Sequence, residues 1–443
     1  MRSFLLSAIV FLAAATLAAA QDVPSFVSSE TPSLIDIYKD IHAHPELSHF
    51  EARTSGILAA AMREAGYTVT ERVGRYPDGS QAYGVVGILK NGAGPTLMIR
   101  ADMDALPIVE QTGVPYASHV TTKNRDGQMV GVMHACGHDV HTTVMIGTAR
   151  AMAAMKSQWH GTLMLVGQPS EETIDGAKAM LADHLYERFG RPDQIIGLHD
   201  TNTLAAGTVG VRSGASASSS TSIDVVIRGI GGHGAYPNAG RDPVTLAALY
   251  IMQIQTIVSR EEDPQDPTVV TVGHIEGGTK RNIIPDEVKL ELTTRSFSDK
   301  SRDTVIQGLK QMAAGITASA GLPPEKAATV TVLEDESTPV LYNDPAQTEK
   351  VKAVLIKTLG AENVIDIPRS MASEDVGVFA LPNHEIPLTY FILGAMDPVK
   401  LAAARAAGKE LPGPHTSRFE PLPEPTLRTG VTAMTSVAIS LLQ

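Results

Sequence analysis

Apolar positions recur every three to four residues over Leu34–His42 and Thr54–Ala65, the spacing of helices with one buried face, and Gly66 supplies a helix stop. The pattern then changes to short apolar runs at Tyr83–Leu89 and Thr96–Arg100, which predict buried strands. Val140–Met155, rich in Ala and Met, reads as a helix. Strand, helix and strand follow at Thr162–Gly167, Ala177–Leu185 and Gln194–His199. This alternation predicts an α/β body on a mostly parallel sheet.

After Gly214 the texture changes. Ala215–Ser222 is small and polar and reads as a hinge or linker. Strands are then expected at Ser222–Arg228, Thr268–His274, Val288–Arg295 and Ala328–Leu333, with helices at Pro243–Val258 and Arg302–Ala318. That order is β-α-β-β-α-β, a ferredoxin-like unit. Past Pro339 the α/β texture resumes, with a helix at Ala346–Leu359, a strand at Thr389–Leu393 and a last helix at Thr426–Leu442. Val399–Pro414 reads as a surface loop. The expected organisation is a discontinuous body, residues 21–214 and 335–443, with an inserted α+β domain at 215–334.

Composition narrows the class. With 43% hydrophobic and 19% charged residues, the 443-residue chain is globular rather than disordered. A net charge of −12 and only 5% aromatics argue against nucleic acid as a partner, since phosphate and bases call for basic and stacking surfaces. A small anionic substrate needs only a local cation. Arg2 followed by the apolar run Phe4–Ala20, ending Ala18-Ala19-Ala20, reads as a secretory signal peptide over residues 1–20. No later segment has the roughly 18 uninterrupted apolar residues of a membrane span. The mature protein is therefore expected outside the cytoplasm, secreted or periplasmic, with no membrane attachment. The single cysteine, Cys136, has no internal disulfide partner, and in such a compartment it needs burial or a bound ion.

Cys136 lies in His134-Ala135-Cys136-Gly137-His138-Asp139-Val140-His141. Thiolate and imidazole are ligands of zinc and similar ions. A nucleophilic Cys–His pair and plain capping of a helix start are the other readings of the same residues. Glu171 and Glu172 follow an apolar strand, where α/β folds place their sites; one could ligate a metal and the other act as general base. His199 ends another buried strand, and His415 lies in a Pro/Gly-rich turn. Asp102 and Asp104 close the strand Thr96–Arg100, and one of them could orient a histidine ligand. Cys136, His138, Glu172, His199 and His415 exceed what one tetrahedral zinc with an open position requires, which fits two metals. In the inserted domain, His233 is flanked by glycines, and Asn282 and Arg295 are polar groups beside a strand.

These motifs together resemble the M20 metallopeptidases, in the amidohydrolase branch that holds hippurate hydrolases, N-acyl-amino-acid aminoacylases and auxin-conjugate hydrolases. The resemblance rests on Arg100–Pro107, His134–His141, Pro169–Glu172, Gly197–His199, Gly231–Pro237, Asn282–Asp286, Ser373–Asp375 and His415. It implies two divalent ions (zinc, manganese or cobalt) with Cys136 bridging and His138, Glu172, His199 and His415 completing the set. It implies Glu171 as general base and the inserted domain as a lid carrying a homodimer interface. His233 would then stabilise the oxyanion across that interface, and Asn282 and Arg295 would hold the substrate with its carboxylate. The chain departs from the family at Thr173–Gly176, Asn238, Val376 and Ala395, none of them a ligand position. The expected activity is metal-dependent cleavage of the amide of N-acyl or N-aminoacyl amino acids. A dipeptidase or carboxypeptidase with the same site is the other enzyme reading. A non-catalytic exported binding protein is the third, and Glu171 argues against it, because binding alone needs no general base.

Overall fold

The computed structural model describes residues 22–443, so the signal segment expected at residues 1–20 lies outside the described residues. The body is built on an eight-stranded sheet. Its spatial order is Thr68–Arg75, Gln81–Asn91, Gly161–Gln168, Thr96–Asp102, Gln194–Ala205, Leu388–Met396, Val209–Val211 and Val364–Asp366. The four middle strands from Gly161–Gln168 to Leu388–Met396 run parallel. The first two strands are antiparallel additions at one edge.

Alternation along each strand builds two apolar layers. Leu97, Ile99, Leu163 and Leu165 face the helices Val23–Ala43, Ala52–Glu64, His138–Ala154 and Pro423–Leu441. Met98, Met164 and Val166 face the other way, onto Ala177, Met180 and Phe379. A sheet covered on both sides explains why its strands read as near-continuous apolar runs. Helix His138–Ala154 is buried almost throughout, and it carries much of the site's chemistry at its first turn.

The lid is a four-stranded antiparallel sheet in the order Val269–Glu276, Glu287–Ser296, Ser219–Arg228, Thr329–Thr338. Tyr250 and Ile254 of helix Pro243–Thr256, and Val305 and Leu309 of helix Asp299–Ser319, pack onto Ile223, Val225 and Leu290. The chain leaves the body through Gly214–Ala217 and returns through Leu341–Asn343, and these two segments pair antiparallel. Lys178, on body helix Gly176–Ala182, donates to the backbone oxygens of Glu334 (2.7 Å), Asp335 (2.9 Å) and Ser337 (2.6 Å).

Three expectations are corrected. Ala215–Ser222 joins the two domains, but as ordered strands rather than a loose hinge, and Ser216, Ser218, Ser219 and Ser220 are buried. Ser218 Oγ donates to the Met371 carbonyl (2.9 Å) and Ser219 Oγ to the Ser296 carbonyl (3.2 Å), which lets small polar residues cross a packed interior. Val399–Pro414 is not all loop: Pro398–Ala406 is a helix, capped by the Asp397 carboxylate on the N–H groups of Val399 and Lys400. The helix expected at Ala177–Leu185 is broken into Gly176–Ala182 and Leu185–Phe189 by His184, whose φ is 59°.

Candidate metal centre

The parallel strands deliver their C-terminal ends to one place. Asp102 ends one strand and pairs in register with Gln168, which ends the next, immediately before Pro169-Ser170-Glu171-Glu172. His199 lies on Gln194–Ala205 beside them. Gly137, at φ 80°, makes the turn that starts helix His138–Ala154. A Cβ there would stand 2.2 Å from the Asp200 carboxylate, so this turn accepts only glycine. His415, at φ 64°, is pinned by its N–H on the Ala135 carbonyl (2.8 Å), which folds a distant loop over Cys136.

The structure brings Cys136, His138, Glu172, His199 and His415 together. Cys136 Sγ is 3.4 Å from His199 Nε2 and 3.3 Å from His415 Nε2. Glu172 Oε2 is 3.4 Å from His415 Nε2, and Glu172 Oε1 is 3.9 Å from His138 Nε2. Donor atoms of Cys136, His138 and His199 lie within 4.8 Å of one another, as do those of Cys136, Glu172 and His415.

The histidines are oriented by what their other nitrogens do. His138 Nδ1 donates to the Asp104 carbonyl (2.8 Å), and His199 Nδ1 to the Asp200 carbonyl (2.6 Å). A carbonyl only accepts, so in the neutral form of each ring the proton sits on Nδ1 and the Nε2 lone pair is turned to the cluster. His138 Nε2 and Glu172 Oε1 are buried with no hydrogen-bond partner. Orphaned lone pairs of this kind, aimed at a thiol, are what a cation would satisfy. The residues therefore fit a metal group with Cys136 central to both sets of donors. Burial and the Glu172 carboxylate push the Cys136 thiol well up, so a seated cation is what keeps it as thiolate.

His141 is not available as a ligand. Its Nδ1 donates to Asp102 Oδ1 (2.6 Å), and its Nε2 accepts the Asp200 N–H (3.0 Å). Asp102 also takes Arg100 Nη1 (2.5 Å), and its Oδ2 stands 3.8 Å from His138 Nε2. Asp104 has a different task. Its carboxylate accepts the N–H groups of Glu171 (3.1 Å) and Glu172 (3.0 Å) and the Ser48 hydroxyl (2.6 Å), fixing the backbone of the glutamate pair.

Glu171 is buried, and its carboxylate has no hydrogen-bond donor among the described residues; its Oε2 is 3.8 Å from His138 Nε2. Burial, with Glu374, Glu172 and Asp375 nearby, pushes it well above the usual carboxylate range. Burial raises Glu172 to about 7, with His138 pulling the other way. Behind them Arg100 is fully buried against Asp102, Glu374 (2.8 Å) and Asp375 (2.9 Å), and Tyr390 donates to Glu374 (3.0 Å). Asp200 and Tyr390 were not singled out by the sequence reading. The one signal for Asp200 is its place next to His199.

His233, Asn282 and Arg295 lie on the lid. His233 pairs in register with Ile283, and the Gly234 N–H donates to the Asn282 carbonyl (2.9 Å), so His233 and Asn282 are neighbours. Both are exposed. Arg295 is half-buried on strand Glu287–Ser296, with no hydrogen-bond or ion-pair partner among the described residues, and burial lowers its pKa.

The sequence profile of peptidase family M20/M25/M40 matches residues 98–411, a span that takes in Asp102, the Cys136 turn, the glutamate pair and the whole lid. The chain belongs to that family. Like other M20 members it is a metal-dependent amide hydrolase. It is 37% identical over 355 residues to IAA-amino acid hydrolase ILR1-like 4 of Arabidopsis thaliana, covering 79% of this chain and 76% of the relative. It is 34% identical over 345 residues to the hippurate hydrolase of Campylobacter jejuni, covering 77% and 84%. Among solved structures it resembles a Bacillus subtilis protein described as a dinuclear metal-binding M20 peptidase. That match has a TM-score of 0.75 and 27% identity and covers 94% of this chain and 99% of that one.

Proposed function

We propose that this M20 hydrolase cleaves the amide of N-acyl amino acids that carry a free carboxylate. The observation that carries the mechanism is Glu171, undonated and buried beside five converging donors. Cys136, His138, Glu172, His199 and His415 would hold two divalent ions, with zinc, manganese and cobalt all compatible with this donor mix. When bound, the ions supply Lewis acidity to the amide carbonyl and to water. Glu171 takes a proton from the attacking water and delivers it to the leaving amine nitrogen. Asp102 holds His141, and Asp104 holds the glutamate backbone, so both act by position.

On the lid, Arg295 is a half-buried cation without a partner among the described residues, suited to a substrate carboxylate. Asn282 offers an amide beside it in role, and His233 a donor for the oxyanion. The relatives named as hippurate and IAA-amino acid hydrolases support an acyl group joined to an amino acid. Exposed Leu249 and Met252 on helix Pro243–Thr256, and Ile275 on the lid's edge strand Val269–Glu276, support a homodimer through the lid. In that dimer His233 would serve the partner's site. The apolar run Phe4–Ala20 supports export, which N-terminal sequencing of the mature protein tests.

Two substitutions test the division of labour. Glu171→Gln is expected to keep its metal and lose about 10²-fold or more in kcat toward the best substrate of an N-acyl amino acid panel. Glu172→Gln is expected to lose metal. Metal analysis of both purified variants decides, and the opposite pattern would reverse the two roles.

A further inference from the structure

Glu51 opens helix Ala52–Glu64, but its carboxylate does not cap that helix. It is fully buried and turned toward the catalytic loop. Its Oε1 accepts three donors: the Ser170 N–H (2.8 Å), the Ser170 hydroxyl (3.0 Å) and the His49 N–H (2.9 Å). The Tyr76 hydroxyl, 2.6 Å from Ser170 Oγ, completes the Ser170 side chain. Both residues that Glu51 holds are in the left-handed region, Ser170 at φ 53° and His49 at φ 71°. L side chains persist there only when their surroundings enforce it. Ser170 immediately precedes Glu171.

We propose that Glu51 is a positioning residue for catalysis: one carboxylate oxygen holds the Ser170 turn, and that turn sets the direction of Glu171. The inference rests on the reading of Glu171 as the base. It is independent of metal binding, because Glu51 contacts none of the five ligands, and the Glu172 N–H keeps its own anchor on Asp104. Two carboxylates thus hold the loop, Asp104 through the N–H groups of Glu171 and Glu172 and Glu51 through the residue before them.

What the turn uses is an acceptor at the Oε1 position, since all three partners donate to that atom. Glu51→Gln supplies an amide oxygen in the same place, whereas Glu51→Leu fills the space with no acceptor. The test measures kcat, KM and metal content of the metal-loaded variants. Glu51→Leu is expected to lower kcat on the order of 10- to 100-fold, the scale of an ångström misplacement of a reacting group. KM should stay within about threefold and metal at the wild-type content, because binding and ligation are untouched. Glu51→Gln should recover kcat to within about threefold of wild type. If Glu51→Leu does not fold, Ser170→Ala deletes one of the three donors and should itself lower kcat several-fold with KM and metal unchanged. Wild-type kcat in Glu51→Leu, or in Ser170→Ala where that variant is needed, would overturn the inference. So would metal loss in step with kcat, or a Glu51→Gln as slow as Glu51→Leu. An active Glu171→Gln would instead remove the reading of the base, whereas an inactive Glu171→Gln beside a fully active Glu51→Leu would remove only this inference.

Discussion

At the scale of single residues, two buried sites show how surroundings decide chemistry. Cys136 sits between two imidazole Nε2 atoms and beside Glu172, in a place that disfavours a free thiolate. A nucleophile would need the reverse. Chelation should therefore abolish activity, added divalent metal should restore it, and a thiol reagent should label Cys136 faster after chelation. Activity that survives complete metal removal would exclude this role. The second site is His42, between Asp139 Oδ2 (2.6 Å) and Glu110 Oε1 (3.1 Å). Burial pulls its pKa down, but the two carboxylates outweigh that and raise it to about 10. The folded value lies above the unfolded one near 6.5, so folding takes up a proton between them. The stabilisation is complete below about pH 6.5, falls by about 1.4 kcal/mol per pH unit and is lost as pH passes about 10. In melting curves His42→Gln should trail the wild type most at pH 6, and the gap should close by pH 10.

At the scale of elements, the helices that carry the site are set by glycines. A Cβ on Gly147 would meet Val431 Cγ2 at 2.6 Å, and one on Gly430 would meet Val144 Cγ2 at 2.6 Å. Helices His138–Ala154 and Pro423–Leu441 thus touch backbone to side chain at both points. Gly147→Val is expected to cost about 1–3 kcal/mol by overpacking. It should also lower metal affinity, because His138 rides on the same helix; a chemical denaturation curve and a metal titration check the two effects. The outer helices of the body were legible because one-sided burial imposes a period, its inner strands because two-sided burial leaves short apolar runs, and His138 and Cys136 because metal donors are rare and crowd into eight residues. Other parts had no such signal. Ala215–Ser222 reads as a hinge or linker, since a buried serine is distinguished from a solvated one only by a distant partner such as Met371. Glu51 and Asp200 owe their place to contacts with Ser170 and Gly137, far away in sequence. The helix Pro398–Ala406 was hidden by the Pro/Gly-rich stretch that follows it.

For the whole molecule, the homodimer proposed through the lid's unpaired edge strand and apolar helix would make each active site draw His233 from its partner. Mixing His233→Ala with Glu171→Gln subunits under exchange conditions should restore activity, because one site of each mixed dimer would have both residues intact. Recovery up to the fraction set by random pairing is the expected result, and a monomer in sedimentation at assay concentration would exclude it. The insertion also bears on how the molecule is made. Strand Leu388–Met396 lies inside the body sheet, hydrogen-bonded to Gln194–Ala205 and Val209–Val211, and His415 comes later still. A nascent chain has therefore translated the entire lid, Ser219–Thr338, while the body still lacks an interior strand and a ligand. The inserted domain is complete along the chain before the body is, and the ion can be captured only once Leu388–Met396 and His415 are in place. Ribosome-bound chains arrested before Leu388 should show a lid already resistant to brief proteolysis and a body that is cut freely.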